Sequence, residues 1–222
     1  MSKAGADEGT GLYGRLNLVA SYITIFSISY YMIAIALLHF LRTDYDPGYR
    51  YLSEYVVGPY GALMTSTFFV LSIGSLSLAL GLFRSVSSKL RFLPGQLFGL
   101  IWVCSVFLAG IFPGDLQGSP QTRTGQIHNQ MGRIAFPSAA LALLLLSIPL
   151  RWERRWRSVW SSAVILSLAL GICFLMWDRF EEMKLGGLVQ RLFLFVALTW
   201  MFIVARKLMT IEKQRKTEGI DS

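Results

Sequence analysis

Reactive side chains are scarce in this chain: two cysteines and two histidines in 222 residues. Cys104 and Cys173 both lie inside apolar runs, with no Cys-x-x-Cys pair and no Cys/His cluster. That pattern excludes a zinc site of the usual spacing and a redox dithiol, and both residues read as small buried hydrophobes. Charge is also thin, at 15% of residues against 54% hydrophobic. A soluble domain this short has no interior for so much apolar surface, so the class is a polytopic membrane protein. The net charge of +8 falls in the gaps between apolar runs and forms no nucleic-acid module. The alternating apolar and polar segments of a membrane barrel are missing. No small-residue cleavage site follows the first apolar run, which reads as a retained span. There is no soluble domain, no internal repeat and no long linker.

What is present is six apolar runs, each long enough for a bilayer core of about 30 Å, which takes about 20 helical residues. They cover about Asn17–Leu41, Tyr60–Phe83, Pro94–Phe112, Ile127–Leu150, Ser158–Trp177 and Leu188–Leu208. The expected fold is an all-α bundle of six transmembrane helices over residues 17–208, with an N-terminal tail at 1–16 and a basic C-terminal tail at 209–222. Small residues a turn apart support close helix packing: Ala163, Ser167 and Gly171 on the fifth span, Ala135 and Ala139 on the fourth. Lys and Arg set the orientation. Fourteen lie in the two tails and the loops after the second and fourth spans; five lie in the other three loops. The positive-inside rule then puts both termini in the cytoplasm and the protein in the cytoplasmic membrane. Trp152, Trp156 and Trp160 fit an inner aromatic belt, and Tyr51, Tyr55, Tyr60 and Trp177 an outer one.

The three loops expected outside are Arg42–Pro59, Pro113–Gln126 and Asp178–Gly187, and most of the acids sit there. In the first, Asp-Pro-Gly reads as a turn and Tyr49–Val57 as a short interfacial helix. Ser53-Glu54 offers a nucleophile beside a carboxylate, or local capping chemistry at a helix start.

Polar groups at membrane depth are costly and mark candidate sites. Both histidines, His39 and His128, fall near the outer ends of their spans, and Arg133 and Arg191 lie inside the fourth and sixth. Arg133 needs an anion or a route to water. It either pairs with Asp115, Glu54 or Asp178, or snorkels, or forms with Arg191 a fork for a lipid phosphate or carboxylate. Asn129, one turn earlier, is placed to orient it. His128 either fixes the loop by a hydrogen bond, acts as a general base, or ligates a metal with His39 and Asp115 as the whole set. Haem between the two histidines lacks an attachment motif and a second histidine pair, and no cofactor is expected.

The residues Leu52-Ser53-Glu54, Gly110-Ile111-Phe112-Pro113 with Asp115, Ile127-His128, Gly187 and Gln190-Arg191 carry a resemblance. From about Ile23 to Leu208 the chain resembles the bacterial and archaeal six-span membrane proteins classed as domain of unknown function nine-nine-eight, a family with no settled activity. More distantly, the His-led fourth span resembles the Frag1/DRAM/Sfk1 membrane proteins, several of which are linked to lipid handling. The leading expectation is an extracytoplasmic-facing pocket between spans one, three, four and six. It binds an amphipathic anion, a membrane lipid, through Arg133 and Arg191, with His128, His39, Asn129 and Asp115 around it. A second is an intramembrane hydrolase or transferase using His128 and Asp115, with Ser53 or a metal. A third is a transporter or structural partner, with Pro137 as a kink in a moving helix. Protein partners and oligomeric state stay open.

Overall fold

A computed structural model of the chain describes residues 3–218, with side chains from residue 11 onward. The ends of both expected tails, residues 1–2 and 219–222, lie outside the described residues. The helices are α1 (Lys3–Leu41), α2 (Gly61–Ser85), α3 (Lys89–Ile111), α4 (Arg123–Ser147), α5 (Arg157–Leu175), the short α6 (Trp177–Glu182) and α7 (Gly186–Thr217). Among the described residues there is no strand, and the six long helices are each apolar enough to cross a membrane. All-α architecture and span count are as the apolar runs require.

Some helices run further than the runs that revealed them, whereas α5 ends at Leu175, short of the expected Trp177. α4 starts at Arg123 rather than Ile127, because Thr122 caps it, its hydroxyl accepting from Gly125 N at 3.0 Å. α7 continues to Thr217 because Met209, Ile211 and Glu212 keep a buried face beyond Leu208. In the first loop the expected interfacial helix is instead a five-residue 3₁₀ turn, Leu52–Val56, with Leu52, Glu54 and Tyr55 buried.

Neighbours in sequence are neighbours in space: α1 packs on α2, α2 on α3, α3 on α4, α4 on α5, α5 on α7, and α7 closes the ring on α1. α7 is the most enclosed span and α5 the least. Close approach needs small residues. A Cβ on Gly95 of α3 would stand 2.9 Å from the backbone nitrogen of Leu146 on α4. Ala135, Ala139, Ala163 and Ser167 are buried as the spacing indicated. Gly171 breaks the pattern: nothing lies within 4 Å of its Cβ position, and Ile172 beside it is 61% exposed. There α5 faces outward. Ser147 of α4 links three helices, sharing a 2.8 Å hydrogen bond with Ser167 of α5 and accepting one of 2.8 Å from Trp200 Nε1 of α7. Large apolar side chains such as Phe26, Ile33 and Phe40 coat the outside, as a lipid-facing surface requires.

The start of α7 lies against the first loop. Gly187 N donates to Tyr49 O at 3.1 Å and Leu188 N to Gly48 O at 3.0 Å, so the loop satisfies amides that a helix start leaves open. Only glycine permits this approach, because a Cβ at 187 would meet Arg50 O at 2.3 Å and Pro47 O at 2.6 Å. Gly187→Ala is therefore expected to lose about 1–3 kcal/mol, read as a fall of several degrees in the unfolding midpoint in detergent. Gly99→Ala, where a Cβ meets open space, is expected to leave the midpoint in place.

Candidate functional site

The loop between α1 and α2 is pinned at both ends. Arg42 grips Asp44 through two 2.8 Å bonds, donates to Val57 O at 2.8 Å and stacks 4.0 Å over the Tyr45 ring. The same guanidinium holds the Asp44 carboxyl below its ordinary range. Deeper in the loop, Glu54 is 3% exposed. Its carboxylate accepts from Arg50 Nη1 at 2.8 Å, Tyr51 N at 2.9 Å and Gln117 N at 3.0 Å. Arg50 also donates to Gln117 O at 2.9 Å. One buried acid thus joins the first loop to the loop between α3 and α4. The Tyr51 N bond is the capping chemistry the Ser-Glu pair suggested. Arg50 was missed in the sequence, although it stands four residues before Glu54, the spacing of a helical ion pair.

α7 completes the anchor. Gln190 Oε1 accepts from Leu52 N. Arg191 donates to Arg50 O at 2.8 Å, to Gly187 O at 2.9 Å and, through Nε, to His39 Nε2 at 3.1 Å. His39 Nδ1 faces Ile35 O at 2.7 Å. A guanidinium only donates and a carbonyl only accepts, so the His39 proton sits on Nδ1 and its lone pair on Nε2. Arg191 and His39 do meet, but as a pair beneath the loop. Arg191 Nη2 and the Tyr55 hydroxyl are both buried without a partner among the described residues.

Beside this anchor lies a cavity of about 750 Å³. All six spans contribute to it, where four were expected: Tyr31, Phe68, Trp102, Arg133, Phe174 and Leu194 stand for them in turn. Its wall carries His128, Asn129, Arg133 and Asp115, with Ser53 and Glu54 from the loop and Asp178 and Glu181 from α6. His39 and Arg191 are not in that wall. The two-arginine fork is therefore not assembled, nor is the set His39, His128 and Asp115. Among the described residues no three His, Cys, Asp or Glu side chains come together to hold a metal ion.

His128 is 7% exposed, packed edge-on against Phe68. Its Nδ1 lies 3.0 Å from Ala109 O and 2.9 Å from Phe112 O, carbonyls left open by the end of α3. Nδ1 must donate to them, which leaves Nε2 with no partner among the described residues. Asp115 does not reach the ring. It accepts from Thr122 N at 2.7 Å and Thr122 Oγ1 at 2.9 Å, and so supports the start of α4. Arg133 forms no ion pair and no side-chain hydrogen bond among the described residues. Of its expected partners, Glu54 is held by Arg50 and Asp115 by Thr122, and Asp178, in the same cavity wall, forms no ion pair with it. Asn129 does not hydrogen-bond it either. Pro137, also in the cavity wall, has no amide to offer the carbonyl of Arg133 four residues earlier. At the rim, Tyr51 stacks on Trp177 with ring centroids 6.2 Å apart, and burial followed by the nearby Glu181 carboxylate push its hydroxyl up to about 12.

The family model described as Protein of unknown function (DUF998) matches residues 25–207. No curated protein and no solved structure matches the chain.

Removing Glu54 leaves Arg50 without its carboxylate and two amides without acceptors. Glu54→Ala is expected to lose about 3–5 kcal/mol, and hydrogen exchange at Tyr51 N and Gln117 N is expected to rise together. Exchange that rises at Tyr51 alone would show that the two loops are not joined through this carboxylate.

Proposed function

The chain belongs to the DUF998 family, and from that premise we propose that this multi-pass membrane protein binds the anionic group of an amphipathic ligand, a lipid, in the cavity. The observation that carries this reading is Arg133: a guanidinium in the wall of a cavity of about 750 Å³, with no ion pair among the described residues, although the same wall holds four acids, of which Glu54 and Asp115 are engaged elsewhere and Asp178 and Glu181 on α6 do not pair with it. A cation that stays charged at this depth is costly unless an anion or water meets it. The volume is that of a small-ligand site, and its wall mixes Phe68, Trp102 and Leu194 with a few polar groups, which is the usual composition of such sites. A phosphate or carboxylate suits the guanidinium fork, and acyl chains suit the apolar wall. The open carbonyl of Arg133 and the unpartnered His128 Nε2 add an acceptor each beside it, for a hydroxyl or ammonium of the same ligand.

The loops that cover this cavity face away from the cytoplasm in our reading, because the Lys- and Arg-rich segments lie at the other end. Intramembrane hydrolysis or transfer is the second reading. His128, with Nδ1 anchored and Nε2 open, has the geometry of a general base, and Ser53 shares its cavity. Neither Asp115 nor Glu54 orients the ring, which makes this the weaker reading.

Native mass spectrometry from mild detergent tests the binding. Wild type is expected to carry a stoichiometric lipid and Arg133→Ala to lose it, while Arg123→Ala, on an exposed turn, keeps it. Equal lipid on wild type and Arg133→Ala sinks the reading. For orientation, Ser119→Cys in a background with Cys104 and Cys173 replaced by alanine is expected to react with a membrane-impermeant maleimide on intact cells. Protection until the cells are broken would reverse it.

A further inference from the structure

The end of the bundle remote from the cavity holds a second recess. The loop after α4, the start of α5 and the last turns of α7 enclose a cleft of about 430 Å³. Its walls carry Arg154, Arg155, Lys207 and Arg215 against, among the described residues, a single carboxylate, Glu218.

Several neighbouring cations already have partners. Arg84 Nε donates to Asn17 Oδ1 at 3.0 Å. Arg91 and Arg151 lie over the Trp152 ring, 5.3 and 4.6 Å from its centroid. Lys89 Nζ donates to the carbonyls of Arg84 at 3.0 Å and Val86 at 2.7 Å. The cleft cations differ. The side chains of Arg154, Arg155 and Lys207 make no hydrogen bond among the described residues. Arg215 reaches Glu212 at 3.4 Å, and its Nε is buried with no partner among them. Glu212 is not a spare counter-ion, because it is 1% exposed and its other oxygen accepts from Asn17 Nδ2 at 3.0 Å.

Cations gathered in a recess repel one another, and low-dielectric walls concentrate their field on whatever anion enters. Arginine forks match the paired oxygens of a phosphate. Ser158, on the first turn of α5, adds a hydroxyl, and Trp156 at the N-cap supplies no side-chain acceptor to that helix start. Trp152, 50% exposed and two residues before Arg154 in the chain, is the kind of ring that lies at headgroup level.

We propose that this cleft is a second anion site, separate from the cavity, which takes a phosphate group at the membrane surface. The group comes either from an anionic phospholipid or from free phosphate, and the two are separable by experiment. The full chain is placed in phosphatidylcholine nanodiscs. Its thermal midpoint is then followed while phosphatidylglycerol is raised in the disc or inorganic phosphate is added to the buffer. Stabilisation by phosphatidylglycerol alone assigns the phospholipid, and stabilisation by inorganic phosphate assigns the free ion. In either case Arg154→Gln/Arg155→Gln is expected to weaken the response about tenfold, in line with the loss of charge-assisted bonds. Both residues are exposed and make no internal side-chain bond, so the double variant keeps the fold, which circular dichroism checks. Arg206→Gln/Lys213→Gln, exposed cations outside the cleft, is expected to keep the response, as is Arg133→Ala in the cavity. An equal loss in Arg206→Gln/Lys213→Gln reduces the effect to diffuse surface charge and overturns the site. So does a response unchanged in Arg154→Gln/Arg155→Gln, or no response to either phosphate source.

Discussion

Glu54 carries the open end of this bundle. A carboxylate that is 3% exposed is stable there only with donors around it, and it has three: the Arg50 guanidinium and the amides of Tyr51 and Gln117. These bonds tie two loops that belong to different helix pairs. Gln190 and Arg191 of α7 then bind the backbone of the first of those loops. The lid over the cavity is therefore joined to the most enclosed span. Without Glu54 both loops would present unsatisfied polar groups at the edge of the hydrocarbon, where water cannot be relied on to satisfy them.

That anchor also divides labour among the cations. Arg42, Arg50 and Arg191 are used on the loop, each with several partners. Arg133 is left over, in a cavity wall, one turn from a proline that frees its carbonyl. The histidines divide in the same way. His39 has both ring nitrogens engaged, whereas His128 is held by one and keeps the other open. Residues of the loop and helix-end motifs serve this arrangement. Phe112 supplies the carbonyl that holds His128, Asp115 supports the helix on which His128 sits, and Gly187 lets α7 touch the loop.

At the basic end a comparable network joins three helices. Asn17 of α1 bonds both Glu212 of α7 and Arg84 of α2. It binds the first and last spans where the ring closes. None of its members stood out in the sequence, because Asn17 opens an apolar run and Glu212 lies in what reads as a charged tail. Their pairing spans 195 residues, and no local spacing announces it.

What the sequence by itself determined is the class of molecule. Six apolar runs of membrane length leave the backbone no choice but helices, since hydrocarbon offers nothing else to bond to. The polar residues worth watching, His128, Arg133 and Glu54 among them, were legible for the same reason: a polar group in or beside an apolar run has to be offset somewhere. Which residue offsets which was decided only by tertiary structure. Arg133 had three acids within reach along the chain and pairs with none, because Arg50 and Thr122 lie closer to two of them once the loops fold back. Arg191 and Arg133 read as equivalent cations, yet the packing of α7 against the first loop engages one and leaves the other facing the cavity. Hydrophobicity is additive along a chain and can be read from it, whereas an ion pair depends on a few ångströms of separation between segments far apart in sequence.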